Sequence, residues 1–295
     1  MRLNKSSTKS GNHDLKEKTN AIFERSRTSF QGDPMKQINF DNTYTLGDVV
    51  LETALYRHIH YPEMLVRYDS NFVEFLSIPS LDEFKEVEKY LLDFHQQRGQ
   101  NHLKFYFPAN MTLEGELNDY LTTAGYEREL LELYAIQPRE FPEIRPNSDS
   151  QVEKVTTETL ETLVALKYVQ DLEFGEDFAE QKRALTRRKF ADPQLIQVLA
   201  VYQGIAVGYV DLILSKDTVE IDELSVEEAY QKKGIGSHLQ QFAMKLYPDK
   251  TIILLADGED TPREMYRKQN YQYLGFRQGV LRTFENELQN SINHL

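Results

Sequence analysis

The chain of 295 residues contains no cysteine. Disulfides, thiolate nucleophiles and cysteine metal sites are excluded together, so any chemistry must use oxygen or nitrogen groups; the composition agrees with a reducing compartment. Positive charge is in deficit as well: 34 Lys and Arg stand against 47 Asp and Glu, a formal net charge of -13. That balance repels phosphate backbones and anionic lipid surfaces, which argues against nucleic-acid and membrane partners and favours a cationic or neutral one. No apolar run approaches the roughly 20 residues needed to span a bilayer, and the N-terminus lacks the apolar stretch of a secretory signal. The expected location is cytoplasmic.

What is present is an ordinary globular composition, 40% hydrophobic and 27% charged, long enough for two domains. Residues 1–34 are rich in Ser, Lys, Asn, Thr and Gly and poor in apolar side chains, so a disordered tail is expected there. A first folded half is expected over 35–137. It reads as a helix over Leu46–His58, strands over Met64–Tyr68 and Phe72–Ile78, and a helix over about 81–96 opened by a Ser80/Glu83 capping box. A strand over His102–Phe107, a helix over Leu113–Thr123 closed by Gly125, and a strand over Tyr126–Ile136 complete it. Residues 138–150, with three nearby prolines (Pro138, Pro142, Pro146), read as a linker.

The second half, 151–295, opens with a strand near Val152–Thr156 and two helices, the second over Glu176–Ala191. Strands follow over Leu195–Tyr202 and Ala206–Leu214, joined by a turn at Gln203–Gly204, and a third over Val219–Val226. A helix over Gly236–Tyr247, a strongly apolar strand over Thr251–Ala256, a short helix over Pro262–Gln269 and one or two strands after Tyr271 end the pattern. The order is α/β with a mixed sheet, and the second half repeats the first.

The chemistry-bearing stretch runs from Glu220 to Leu239. A strand ends at Leu224, Ser225 and Val226; a loop of Gln231, Lys232, Lys233, Gly234, Ile235, Gly236 and Ser237 then enters a helix. Two glycines let backbone amides approach a ligand, and the helix N-terminus offers unpaired N–H donors, so the loop suits a pyrophosphate. It lacks the third glycine of a dinucleotide-binding loop and the Gly-Lys-Ser/Thr ending of a P-loop.

Leu224-Ser225-Val226 followed by Gln231-Lys232-Lys233-Gly234-Ile235-Gly236 resembles motif A of the GNAT superfamily of N-acetyltransferases. Tyr266 through Tyr271 resembles that family's Tyr-x-x-x-Gly-Phe segment, with Asn270 replacing the glycine and Tyr271 the phenylalanine. Thr261 as N-cap with Pro262 and Glu264 opens the Tyr266 helix. The resemblance implies an acyl-CoA N-acyltransferase fold, tandem across the chain, with acetyl-CoA as acyl donor. It further implies direct transfer to a primary amine of an unidentified small molecule or peptide, and no metal. Tyr266 would protonate the departing thiolate. Leu224–Val226 would hold the pantetheine arm and Gln231–Ser237 the pyrophosphate. For the base, Glu223 is favoured and Asp222 stands second; strand alternation puts Glu223 on the face opposite Glu220 and Asp222.

The first half has Pro79 and Ser80 where the glycine loop would stand, and Leu121 where the tyrosine would stand, so that copy is expected to be catalytically silent. The alternative is a non-catalytic binder of coenzyme A derivatives or a protein-interaction module, and a homodimer is left open. His58, His60 and His238 have no complementary ligand set and read as core or surface histidines.

Overall fold

The computed structural model describes residues 34–145, 147–258 and 262–284; the expected N-terminal tail up to residue 33 and the Thr261 cap lie outside them. The chain divides between Gln37 and Ile38. Pro34–Gln37 is a single 3-10 turn, and every described strand and α-helix belongs to the unit that starts at Ile38. No described helix is long and apolar enough to cross a membrane.

Among the described residues, eleven strands form one mixed sheet. In chain order the first half contributes β1 (Asp48–Glu52), β2 (Tyr56–His60), β3 (Phe72–Phe75), helix α1 (Leu81–Gln96), β4 (His102–Tyr106), α2 (Gly115–Thr123) and β5 (Glu127–Ile136). The second contributes β6 (Ser150–Lys154), α3 (Leu160–Asp171), α4 (Glu176–Ala191), β7 (Leu195–Tyr202), β8 (Ile205–Leu214) and β9 (Thr218–Val226). It ends with α5 (Ile235–Leu246), β10 (Thr251–Asp257), α6 (Pro262–Lys268) and β11 (Gln272–Thr283).

Local chemistry explains most of these boundaries. Ser80 Oγ accepts from the Glu83 amide while Glu83 accepts from the Ser80 amide, so α1 starts where the capping box predicts. Gln203 and Gly204 both take positive φ, 50° and 84°, the two-residue turn that matches strand twist between β7 and β8. Asn270 closes α6 at φ 68°.

Two expectations fail, both between residues 46 and 70. The expected helix over Leu46–His58 is the β1–β2 hairpin, whose turn is made by Thr53 Oγ1 accepting from the Leu55 and Tyr56 amides at 3.1 and 3.0 Å. β1 is an exposed edge strand, so it carries no inward–outward alternation to read. The expected strand over Met64–Tyr68 is a compact turn around a fully buried Met64, held by Asn71 Nδ2 donating to the Met64 and Arg67 carbonyls at 3.1 and 2.9 Å. The side-chain amide supplies bonds that a neighbouring strand would have supplied.

The sheet order is β1-β2-β3-β4-β11-β5-β10-β9-β8-β7-β6. Each half holds one parallel pair, β3 with β4 and β9 with β10. Between the pairs the halves exchange their last strands: β11 lies antiparallel between β4 and β5, and β5 between β11 and β10. Each half therefore completes the other's sheet. Ile235, Leu239 and Ala243 of α5 bury against Val219, Ile221, Ile252 and Leu254. Leu163 and Leu166 of α3 pack on Leu199 of β7 and Tyr209 of β8, which alternate along those strands with Val198, Ala200 and Val210 of the α5-facing cluster. Phe84, Val87 and Leu91 of α1 meet Phe75, Phe105 and Phe107 in the first half.

Candidate active site

β9 and β10 pair in parallel for four residues, ending at Ile221 opposite Leu254. Beyond that point β9 stays paired with β8 to Val226, and β10 with β5 to Asp257. The two strands splay, leaving the inner edges of Leu224–Val226 and Leu255–Asp257 without a ladder partner in each other. Backbone groups on such an edge need a partner from elsewhere. One is internal: Gln231 Nε2 donates to the Val226 carbonyl at 3.1 Å.

The Gln231–Gly234 loop is exposed, and its path depends on two left-handed residues, Lys232 at φ 61° and Gly234 at φ 82°. Gly234 is the N-cap of α5 and supplies no side-chain cap, in contrast to Ser80 at α1, whose box already occupies the first amides. The α5 N-terminus approaches the splay: a Cβ placed on Gly236 would touch Leu224 and Val226 at 3.8 and 3.9 Å. Lys233 Nζ lies over the Tyr202 and Tyr230 rings at 5.0 and 5.1 Å. Ser237 Oγ accepts from Gln269 Nε2 at 3.1 Å, tying α5 to the end of α6.

Below the splay is a cavity of about 430 Å³ built by both halves. Glu220, Asp222, Glu223, Leu224 and Tyr266 line it from the second half, and Tyr44, Arg67, Asp69, Tyr106 and Glu129 from the first. The Tyr266 ring is flanked by Tyr134 and Tyr271, with centroids at 5.3 and 5.5 Å. Its helix is anchored to the exchanged strand β5, where Arg263 pairs with the buried Glu132 and Tyr134 Oη donates to the same carboxylate at 2.7 Å. Gln231–Ser237 stand outside this cavity, at the α5 end of the splay.

Glu223 departs from expectation. A register shift between β8 and β9 sets Glu223 and Leu224 opposite Val210 alone, and Glu223 takes φ 49°. This bulge cancels the alternation, so Glu223 turns to the same side as Asp222: Lys189 Nζ reaches Asp211, Asp222 and Glu223 at 3.0, 3.2 and 3.3 Å. Lys182, Lys167 and Arg67 also bind Glu223, at 2.5, 2.9 and 3.3 Å. Burial alone would raise its pKa, but Lys167, Lys189, Lys182 and Arg67 together hold it well below the usual carboxylate range. The basicity expected of Glu223 is therefore removed. The oxygens of Asp211, Asp222 and Glu223 lie within 4.8 Å of one another, as metal ligands would, but the Lys189 ammonium takes the cation's place among them.

Glu220 is the contrasting carboxylate. It is 6% exposed, and the Tyr44 amide donates to its Oε2 at 2.6 Å. Burial and the nearby Asp222 charge push it up to about 8, against the opposing effects of the Tyr44 amide and Lys189. A cavity-lining group in that range can exchange a proton near neutral pH. The sequence reading also missed the lysines. Their signal was present, since Ala179, Lys182, Leu185, Thr186 and Lys189 form the buried stripe of α4, an inward face carrying two cations.

Comparison with known proteins follows the same division. Residues 38–134 match a domain of unknown function, DUF5613, and residues 163–271 match the acetyltransferase (GNAT) family. No curated protein matches the chain. A functionally unknown conserved protein from Staphylococcus epidermidis is 26% identical over 85% of this chain and 100% of its own, with a TM-score of 0.79. A GCN5-related N-acetyltransferase from Kribbella flavida is 11% identical over 83% of this chain and 92% of its own, TM-score 0.55. Another from Sphaerobacter thermophilus is 12% identical over 78% and 76%, TM-score 0.53. These two share the fold.

Proposed function

We propose that the chain is an N-acyltransferase that moves an acetyl group from acetyl-CoA to a primary amine of a small molecule or peptide by direct transfer. The observation that carries this reading is the splay of β9 from β10, with an uncapped helix N-terminus at one side and a cavity holding Glu220 and Tyr266 at the other. The GNAT match over 163–271 supports it, because it spans the loop, the bulge and Tyr266.

The residues fit such a donor. The amides of Gly234–Ser237, at the positive end of the α5 dipole, suit a pyrophosphate, and the open β9 edge at Leu224–Val226 suits the amides of a pantetheine arm. The donor contributes a thioester carbon. The amine nitrogen bonds to that carbon, the carbon–sulfur bond breaks, Glu220 takes the proton from nitrogen, and the Tyr266 hydroxyl gives one to the departing sulfur. Residues 38–137 form the acceptor wall, and the capping box on α1 leaves that half without a cofactor loop.

Thiol release from acetyl-CoA with a panel of primary amines tests the reading. Tyr266→Phe is expected to lower kcat by about a hundredfold, and Glu220→Gln to abolish the limb of the pH–rate profile near pH 8. A rate unaffected by both variants refutes the assigned roles. Absence of thiol release with every amine, together with acetyl-CoA binding, leaves a non-catalytic binder of coenzyme A derivatives.

A further inference from the structure

A second cleft, of about 240 Å³, shares Glu223 and Leu224 with the main cavity and is walled by the α3–α4 turn and the end of β9. Asp171, the last residue of α3, lines it and is 9% exposed. Its Oδ2 is buried with no hydrogen-bond partner, and no ion pair reaches it among the described residues. The other buried carboxylates are all served. Asp211 has two lysines, Glu132 has Arg263 and Tyr134, Glu88 has Tyr120, Tyr126 and Arg282, and Glu220 has the Tyr44 amide. Asp171 also stands at the negative end of the α3 dipole, where a carboxylate is disfavoured. The one cation in the cleft, Lys182, is committed to Glu223 at 2.5 Å.

Lys182, Lys167 and Arg67 act on Asp171 from a distance, but a buried carboxylate oxygen with no direct partner is costly, and it persists where something outside the chain supplies that partner. The walls say what else that partner carries. Phe174 and Phe178 flank the cleft with ring centroids 5.3 Å apart. Phe174 is 66% exposed, and Val169 and Leu172, within the same six residues, are 65% and 43% exposed. Apolar side chains held open beside an unpaired anion suit a cation borne on an apolar body.

We propose that this cleft binds an alkylammonium group attached to an aromatic or aliphatic body, with the ammonium on Asp171 and the body against Phe174 and Phe178. A nitrogen held there stays protonated, so it is not the attacking one. Its role rests on the acyl-transfer reading: it is a second cationic group of the acceptor, which makes the acceptor a diamine with an apolar segment. The site itself does not depend on that reading.

Calorimetric titration of 2-phenylethylammonium into the full chain at pH 7.5, without any acyl donor, tests the site. The proposal expects the ammonium to bind at least tenfold more tightly than 2-phenylethanol, with 3-phenylpropanoate not binding. It expects Asp171→Asn, which removes a buried charge and should not lower thermal stability, to erase the preference, and Phe174→Ser to weaken binding of ammonium and alcohol alike. Equal binding of ammonium and alcohol to wild type overturns the proposal without any variant, as does an unchanged preference in a folded Asp171→Asn. Acetyl-CoA binding to the same wild-type sample reports separately on the acyl-transfer reading. Where transfer is seen, a lower KM for diamines than for monoamines should vanish in Asp171→Asn.

Discussion

Acidification from pH 7 to pH 5 should destabilise the protein, and the structure sets the size. His58, His95 and His102 are fully buried in the first half, with His58–His95 and His95–His102 ring centroids 6.2 and 4.5 Å apart, and each leaves one ring nitrogen unpaired. Burial holds His58 and His102 down to about 3 and His95 to about 4, with neighbouring imidazoles and Arg98 or Lys104 acting in the same direction. The Tyr90 hydroxyl, the His102 and Asn71 carbonyls and the more distant Asp69 also face these rings. An unfolded histidine titrates near 6.5. Below that pH the unfolded chain binds protons that the folded chain refuses, so stability falls as pH falls.

From pH 7 to 5 the three groups together remove about 5–6 kcal/mol. Glu220 acts with the opposite sign. Its folded value near 8 lies above the unfolded 4.5, so acidification over the same interval returns about 2–3 kcal/mol. Glu223 is held low, and its contribution is lost only below the ordinary glutamate range, outside the interval. The three histidines and Glu220 leave a net loss of about 3 kcal/mol, a substantial share of the roughly 5–15 kcal/mol that holds a typical domain; His60, lowered by burial, adds to it and Asp171, raised by burial, opposes it. Urea unfolding at pH 7, 6 and 5 reads this as a falling midpoint with unchanged slope, and His102→Gln should flatten the trend. A midpoint that stays constant or rises toward pH 5 refutes the reasoning.

Glu223→Gln should cost about 3–5 kcal/mol, because it leaves four buried or half-buried cations without their shared anion; urea unfolding at neutral pH checks this. The same variant should keep the pH–rate limb near pH 8, since Glu220 and not Glu223 titrates there. A chain ending at residue 149 should fail to give dispersed amide NMR signals, because β11 separates β4 from β5 in the native sheet, whereas a folded, soluble fragment would contradict the exchanged-strand account.

Elements that carry their own chemistry were legible in the sequence: the Ser80–Glu83 box, the Gln203–Gly204 turn, the double-buried Ile252–Leu254 run and the Gly234 loop. Each is decided within a few residues. The β1–β2 hairpin was not, because its turn uses a threonine hydroxyl in place of Gly, Asn or Pro and its edge strand is exposed on both faces. The strand exchange is a long-range pairing with no local mark, since β5 and β11 read as ordinary strands wherever they dock. The same limit governed the site. Leu224, Tyr266 and the loop were singled out by their resemblance to the family's motifs, but the state of Glu223 depends on a bulge and on lysines 34 to 56 residues away in sequence, and that of Glu220 on its burial.

In the proposed function the α5 N-terminus and the β9 splay form the seat of an acyl donor. Calorimetric titration of acetyl-CoA into wild type and into Gly234→Trp, which places a bulky side chain at a left-handed position of the loop, tests it most directly. Saturable one-to-one binding to wild type and at least tenfold weaker binding to a folded variant are expected. Wild type that does not bind acetyl-CoA, or a folded variant that binds it equally well, contradicts the claim.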